Sequence, residues 1–203
     1  MTLQIIGIPQ SNFVRAVRMV AEEKGVKYEL IDTAPHAEDI KAISPTGKVP
    51  GMRHAGFNLS ESQAIARYID THFDGPPLIP VNTQEAAKVN QWVSIIATEV
   101  DQLLMRNYVV EYVFHKDEEG NVVRTKIDRA LRRFPAMFKM IENAVSGDYC
   151  GTDSFSMADC FVTPILNATN MFPEGQQAIE NSAPIKSYFL RMCERPSFKN
   201  TGQ

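Results

Sequence analysis

Residues 46–63 of the chain read TGKVPGMRHAGFNLSESQ. A proline, Pro50, stands directly before a short β-rich run, and a second such run follows an Ala-Gly dipeptide. A glycine-containing turn between two such runs predicts a β-hairpin. Glu61 and Ser62 then stand where the next helix should begin. A simple strand-to-helix connection needs neither the proline nor the acid, so both indicate a special role for this stretch.

The sequence on either side of the hairpin alternates between strand and helix patterns. Apolar residues at helical spacing, short β-rich runs and their boundaries define the elements. Before the hairpin they predict a strand over 3–7, a helix over 12–24, a strand over 28–32 and a short helix over 37–43. A further helix over 62–72 follows the hairpin. The first 75 or so residues therefore predict the order β-α-β-α-β-β-α.

The segment GPPLIP at 75–80 interrupts this pattern. Its three prolines exclude a helix interior, so the segment is typical of a linker. Strand patterns end there, and long helical patterns follow over about 83–114, 124–146, 156–170 and 184–194. The sequence predicts an α/β domain over 1–76, a linker over 77–83 and an all-helical domain over 84–203.

Composition excludes several classes of protein. The chain has 203 residues and a net charge of −3, which gives no reason to expect a nucleic-acid partner. It contains no apolar run of about 20 residues that would span a membrane, and its start lacks a secretion signal. Cys150, Cys160 and Cys193 form no CxxC or metal-binding spacing, and the histidines are scattered. We expect a cytoplasmic protein with ordinary thiols and no metal.

Four motifs, taken in order, resemble the glutathione transferase family. They are SPTGKVP at 44–50, LSESQAIARYI at 59–69, FSMAD at 155–159 and RPSF at 195–198. The likeness covers nearly the whole chain. It implies a thioredoxin-like N-terminal domain, an all-helical C-terminal domain, glutathione as co-substrate and a two-fold homodimer.

The resemblance assigns a peptide-binding role to the stretch at 46–63. In thioredoxin-like folds the proline before the third strand usually follows a cis peptide bond, which X-Pro bonds tolerate. The turn at Val49 and Pro50 then presents backbone groups to which a bound peptide adds like an extra strand. Lys48 or His36 is expected near the glycyl carboxylate of glutathione, although each is also typical of a solvated surface.

The junction at Glu61 and Ser62 is expected to bind the other end of glutathione. The Ser62 hydroxyl can cap the helix, and the helix N-terminus attracts the glutamyl carboxylate. Glu61 can then meet the amino group of the ligand. The alternative is an ordinary N-cap with an acid beside it.

Ser11 is the candidate catalytic residue. Family members activate the glutathione thiol between the first strand and first helix, by Tyr, Ser or Cys, and residues 3–20 contain no tyrosine. Ser11 falls where the serine of phi- and theta-like enzymes lies, and Asn12 could help to orient the thiol. A hydrogen bond to a charged group contributes about 1.5–3 kcal/mol, or roughly one to two pKa units. Alternatively, Ser11 only caps the helix.

The sequence around Ser11 also departs from other classes of the family. No cysteine lies near it, which argues against a thiol oxidoreductase. Gln10 and Asn12, its neighbours, do not give the Ser-Ser-Cys string of the zeta class.

The helical domain contributes two predictions. The resemblance implies that the first long helix lines an electrophile pocket, with Arg106 available to an anionic substrate and apolar contacts from Met105, Tyr108, Val109 and Tyr112. The alternative is that these side chains pack in the core or face solvent. Ser156 and Asp159 have the spacing of a helix capping box, which is a folding feature.

Two functions remain. The first is a detoxifying glutathione transferase that conjugates small hydrophobic electrophiles, or performs a related peroxidase or isomerase step. The second is a non-catalytic, glutathione-fold protein that binds ligands or partners in a stress response. The combination of Ser11, Val49-Pro50 and Glu61-Ser62 favours the first, because a binding-only protein could lose Ser11 freely.

Overall fold

The computed structural model describes residues 2–202. Its first part contains the strands β1 (Leu3–Ile6), β2 (Tyr28–Ile31), β3 (Gly51–His54) and β4 (Phe57–Ser60). The helices α1 (Asn12–Glu23), α2 (Glu38–Lys41) and α3 (Ser62–His72) complete this part. The observed order is β-α-β-α-β-β-α, which confirms the prediction.

The four strands form one mixed sheet in the order β2-β1-β3-β4. Strands β1 and β2 are parallel, whereas β3 runs antiparallel to both β1 and β4. The predicted hairpin is confirmed: His54 pairs with Phe57 across a turn in which Ala55 and Gly56 have φ of 50° and 82°. Two positive φ values match the twist that a two-residue hairpin needs.

Helices α1 and α3 pack together and bury the apolar residues of the first unit. Val14, Val17 and Val20 of α1 recur at helical spacing and are fully buried, as is Met52 of β3. The described residues form two compact units, and the segment from residue 193 onward belongs to the first. Burial of this apolar surface is the main stabilising contribution to such a unit.

The second unit, residues 82–192, is helical. A long helical run opens it, consisting of α4 (Thr83–Ile95), a π-helical segment (Ile96–Val109) and α5 (Val110–Phe114). The following helices are α6 (Thr125–Leu131), α7 (Phe134–Ala144), α8 (Met157–Thr169), α9 (Pro173–Glu180) and α10 (Ala183–Glu194), and α11 (Pro196–Asn200) lies in the first unit. The helical prediction for this half of the chain is confirmed.

Two details of this half differ from the predicted helices. The helix predicted over 124–146 is two helices, α6 and α7, because Pro135 lies in the first turn of α7. Proline lacks a backbone N–H and its ring clashes with the preceding turn, so it disfavours continuation of α6 and is well tolerated in the first turn of a new helix. Helix α9 was not predicted, since the proline and glycine near its start look like a loop.

The predicted capping box at the start of α8 is confirmed. The Ser156 hydroxyl accepts the N–H of Ala158 at 3.3 Å, and the Asp159 carboxylate accepts the N–H of Ser156 at 2.8 Å. Asp159 is fully buried and also accepts from the Cys150 N–H and the Tyr188 hydroxyl, each at 2.8 Å. Burial raises the pKa of Asp159, and these hydrogen bonds offset part of the effect.

The three cysteines are free thiols, and Cys150 and Cys160 are buried. Among residues 2–202, no group of three or more His, Cys, Asp or Glu side chains is arranged to hold a metal ion. None of the described helices combines the length and the apolar character needed to cross a bilayer.

Candidate active site

One edge of the sheet gathers the predicted binding residues. Ile6 of β1 pairs with Gly51 of β3, which pairs in turn with Ser60 of β4. We call these three residues the edge row. Because β1 and β4 end at this row and β3 begins there, the loop to α1, the turn before β3 and the junction with α3 all leave the sheet at the same edge.

Gly7 shows how closely two of these connections approach each other. A Cβ atom on Gly7 would lie 2.6 Å from Cγ2 of Val14 and 2.9 Å from Cβ of Val49. Its φ of +151° is also unfavourable for other residues. The backbone after β1 therefore touches both the first turn of α1 and the turn before β3.

Ser11 is the N-cap of α1. Its hydroxyl oxygen accepts the Val14 N–H at 3.4 Å, which is long for such a bond. The hydroxyl proton has no acceptor among residues 2–202, so Ser11 can cap the helix and still donate a hydrogen bond to a ligand. The first turn of α1 contains no acidic residue to neutralise the positive end of the helix dipole. Asn12, the first helical residue, is buried.

The turn before β3 has the predicted backbone conformation, with a cis peptide bond between Val49 and Pro50. Pro50 is buried and Val49 is half-buried. Within the described part of the chain, neither the N–H nor the C=O of Val49 has a hydrogen-bond partner. Backbone groups of this kind normally pair with other groups or with water, so Val49 can pair with a bound peptide.

The junction between β4 and α3 differs in one respect from the prediction. Ser62 is the first residue of α3 and Glu61 is the N-cap, with no side-chain capping bond. The prediction that Ser62 caps the helix is wrong, because the helix begins at Ser62 itself, one residue earlier than such a cap requires. Glu61 has φ of +70°, a conformation that non-glycine residues adopt at a cost and that often marks a functional site.

Helix α3 consequently starts with unpaired backbone donors. The first helical hydrogen bond at this end joins the Ile65 N–H to the Glu61 carbonyl at 2.9 Å. The N–H groups of the three residues before Ile65 have no partner in the described structure. Such a helix start attracts anions, and the exposed Glu61 carboxylate beside it suits an ammonium group.

His36 and Lys48 meet at Gly47. The His36 N–H donates to the Gly47 carbonyl at 2.7 Å, and a Cβ on Gly47 would lie 2.5 Å from Nδ1 of His36. His36 also has a positive φ of 65°, and both His36 and Lys48 are exposed. Lys48 forms no ion pair with any residue in the range 2–202. His36 and the residue next to Gly47, Lys48, are therefore the two candidates for binding a carboxylate here.

The residues predicted for the electrophile pocket lie in the second unit. Four of them are buried there, namely Met105, Tyr108, Val109 and Tyr112. Arg106 is about half exposed and donates two hydrogen bonds to Asp101, at 2.8 and 3.3 Å. Their role toward a substrate stays a prediction.

Two family models match this chain. The model described as "Glutathione S-transferase, N-terminal domain" matches residues 5–77, and "Glutathione S-transferase, C-terminal domain" matches residues 89–196. The chain belongs to the glutathione S-transferase family. The four motifs that suggested this resemblance all overlap the matched segments.

Individual relatives within the family carry different names. The chain is 28% identical over 191 residues to a stringent starvation protein A homolog of Histophilus somni, covering 92% of this chain and 83% of that one. It is 27% identical to glutathione S-transferase Z1 of Arabidopsis thaliana, covering 98% and 90%. The crystal structure of glutathione transferase F7 from Populus trichocarpa has a TM-score of 0.89 at 23% identity, covering 99% and 98%. The similarity to the Populus trichocarpa structure, at 23% identity, shows a shared fold alone.

Sequence reasoning missed a polar cluster around Glu174 of this family member. The Glu174 carboxylate accepts from Tyr108 at 3.1 Å, from Tyr112 at 2.6 Å and from Arg124 at 2.5 Å. Burial alone would raise the pKa of Glu174, but hydrogen bonds from Tyr112 and Arg124 outweigh it and lower the pKa to about 2. The partners of Glu174 are 50 or more residues away from it in sequence, so no local pattern connects them. The only local feature is that Glu174 is an acidic residue in the first turn of α9.

Proposed function

We propose that this protein binds glutathione along the edge row and activates its thiol for attack on a small hydrophobic electrophile. One observation carries the proposal. Val49 has unpaired backbone groups, α3 starts with unpaired N–H groups beside Glu61, and the exposed side chains of His36 and Lys48 belong to residues that adjoin Gly47. Glutathione has a peptide backbone with a zwitterionic glutamyl end and an anionic glycyl end, so its charges complement those of the edge.

In this proposal each end of glutathione has its own partners. The α-carboxylate accepts hydrogen bonds from the free N–H groups of α3 and from Ser62, while Glu61 pairs with the ammonium group. The cysteinyl backbone pairs with Val49 as an added strand. The glycyl carboxylate lies near Lys48 and His36.

The sulfur then lies near Ser11. Donation from the Ser11 hydroxyl to the sulfur favours the thiolate by about 1.5–3 kcal/mol, and the start of α1 adds about 0.3–1 kcal/mol. The thiol proton passes to solvent. The thiolate attacks the electrophilic carbon, and the C–S bond forms as the leaving group departs with its electron pair. A bound neighbouring electrophile reacts faster because the two reactants are already held together.

The electrophile is proposed to contact the middle of the long helical run, at Met105, Arg106, Tyr108, Val109 and Tyr112. A homodimer in the cytoplasm is part of the same proposal, since it rests on the family resemblance. The related reactions, peroxidase and isomerase, would use the same thiolate.

A second function has support from the name of several relatives. The similarity to proteins named stringent starvation protein A homolog favours a role in a stress response, which is the alternative to catalysis. The Ser11 hydroxyl has no acceptor for its proton among residues 2–202. This favours catalysis, because a regulatory protein would not need a free hydrogen-bond donor at this position.

Retention on immobilised glutathione tests the proposal. The protein should bind and should elute with free glutathione, and it should then turn over a chlorinated nitrobenzene or a hydroperoxide. Binding without turnover of either substrate would support the regulatory role. No retention at all would contradict glutathione binding and leave only the fold.

A further inference from the structure

Basic side chains are concentrated on and around α6. Residues 124–139 contain six of the 21 Lys and Arg residues and a single acidic residue, in a chain whose net charge is −3. Arg129, Arg132 and Arg133 are all exposed. Arg129 lies in α6, and Arg132 and Arg133 form the turn that joins α6 to α7. We call these three residues the basic ridge.

Most other cations in this segment already have acidic partners. Arg124 pairs with Glu174, and Lys126 pairs with Glu111 at 2.9 Å. Lys139 likewise pairs with Glu142. The basic ridge is different, because its charges remain largely available.

Arg129 and Arg132 form no ion pair with any residue in the range 2–202. Arg133 lies 3.8 Å from Glu99, but both side chains are more than 60% exposed, and such pairs contribute little. Three guanidinium groups within five residues of the chain repel one another. A partner that supplied carboxylates would relieve this repulsion.

An apolar groove adjoins the basic ridge. It lies between α7 and α9 and has a volume of about 370 Å³. Its lining combines the apolar residues Leu131, Phe134, Pro135, Phe138 and Ala178 with the polar residues Lys139, Glu142, Glu174, Gln177, Asn181 and Ser182, and we name it after the first group. Arg132 and Arg133 lie between Leu131 and Phe134 in sequence, so the ridge and the groove are contiguous. The two acids that line the groove are already neutralised, Glu142 by Lys139 and Glu174 by Arg124. They therefore do not oppose an acidic ligand strongly.

We propose that the basic ridge and the apolar groove together dock a segment of a partner protein that carries carboxylates beside bulky apolar side chains. Arginine is enriched at protein interfaces because its planar group pairs with carboxylates in two-point contacts. The ridge spans only five residues and the chain is acidic overall, which disfavours an extended polyanion such as nucleic acid. The proposal does not depend on glutathione binding.

Fluorescence anisotropy with defined peptides tests this surface. The probe is a short labelled peptide that alternates Glu with Leu and Phe. One control peptide has Lys for Glu, and a second has Ser for Leu and Phe. The first probe should bind the full chain, both controls should bind much more weakly, and added salt should weaken binding of the first probe.

Matched variants locate the binding surface. The double variant R129S/R132S should weaken probe binding by about fivefold or more, whereas K27S/K88S, which removes the same charge from exposed positions elsewhere, should not. Ala178 lines the groove and Ala136 is exposed but does not line it. A178E should therefore weaken binding, and A136E should leave it unchanged. Thermal unfolding of each variant checks that it remains folded.

Three results would overturn the proposal. Equal probe binding by the wild type and R129S/R132S would remove the basic ridge from recognition. Tighter binding of a single-stranded oligonucleotide of equal charge would assign the surface to nucleic acid. Self-association that R129S/R132S abolishes would assign it to a second copy of this chain.

Discussion

The guanidinium group of Arg15 lies 3.9 Å from the centre of the Phe198 ring and donates a hydrogen bond to the Phe198 carbonyl oxygen at 3.1 Å. Arg15 also donates its backbone N–H to the carbonyl of Ser11 at 2.9 Å. Arg18, one turn further along α1, donates to the carbonyls of Asn200 and Thr201. The C-terminal helix α11 is therefore part of the support for the helix that begins at Ser11.

We expect Phe198→Ala to destabilise the first unit. The substitution removes a half-buried ring and the cation–π contact with Arg15, so the loss should be about 1–3 kcal/mol. Urea unfolding measures the loss. Leu190→Ala is the control, because Leu190 is 57% exposed and its truncation should cost less than about 0.5 kcal/mol. An equal loss in both variants would contradict the supporting role of the Phe198 contact.

Ser11→Ala should separate binding of glutathione from activation of its thiol. The variant loses the donor to the sulfur but keeps the contacts at both ends of the ligand. The pKa of the bound thiol should rise by roughly one to two units, as measured by the ultraviolet absorbance of the thiolate against pH. Affinity for glutathione should change little. An unchanged thiol pKa would exclude Ser11 from the mechanism.

Lys48→Ala should weaken glutathione binding by about three- to tenfold, because it removes one cation from the glycyl end. Lys41→Ala is the matched control, since Lys41 is exposed and already pairs with Glu38. Glutathione esterified at its glycyl carboxylate provides a second control. Isothermal titration should show that the wild type and Lys48→Ala bind this ester equally. If the wild type bound the ester more tightly than glutathione, Lys48 would not contact the glycyl carboxylate.

Glu174→Gln should lower stability at pH 7 by roughly 1–3 kcal/mol, because it removes a charged hydrogen-bond acceptor. The folded-state pKa of Glu174 is about 2, below its ordinary value of 4.5. A lowered pKa stabilises the folded state above the ordinary value, and this contribution disappears as the pH falls from about 4.5 toward 2. The difference between the wild type and the variant should shrink over that range in urea unfolding. Glu180→Gln, at an exposed ion pair, should show no comparable trend.

Local sequence was sufficient to predict the order of elements in the first unit. Periodicity, turn residues and proline positions act over a few residues, and they correctly indicated the hairpin at Ala55 and Gly56 and the capping box at Ser156. The edge at Val49 and Pro50 was expected from the family resemblance instead. The bounds of α3 were predicted correctly, but its N-cap was not, because the unusual backbone of Glu61 has no sequence signature.

Contacts between distant residues were not predictable in this way. The cluster of Glu174 with Tyr108 joins residues 66 positions apart, and the contact of Arg15 with Phe198 joins residues 183 apart. No periodic pattern encodes such pairs, because they depend on how helices pack. The π-helical segment could not be predicted from the sequence either, since its apolar residues also have the spacing of an ordinary α-helix.

The edge row also sets a minimum length for the ligand. Neighbouring strands lie roughly 4.8 Å apart, so β1 and β4 are separated by about 10 Å with β3 between them. The group that would hold the sulfur follows β1, and the group that would hold the glutamyl end follows β4. A free cysteine is too short to reach both, whereas an extended tripeptide spans about 10 Å. The spacing of the strands would thus exclude free cysteine as a ligand that contacts both groups.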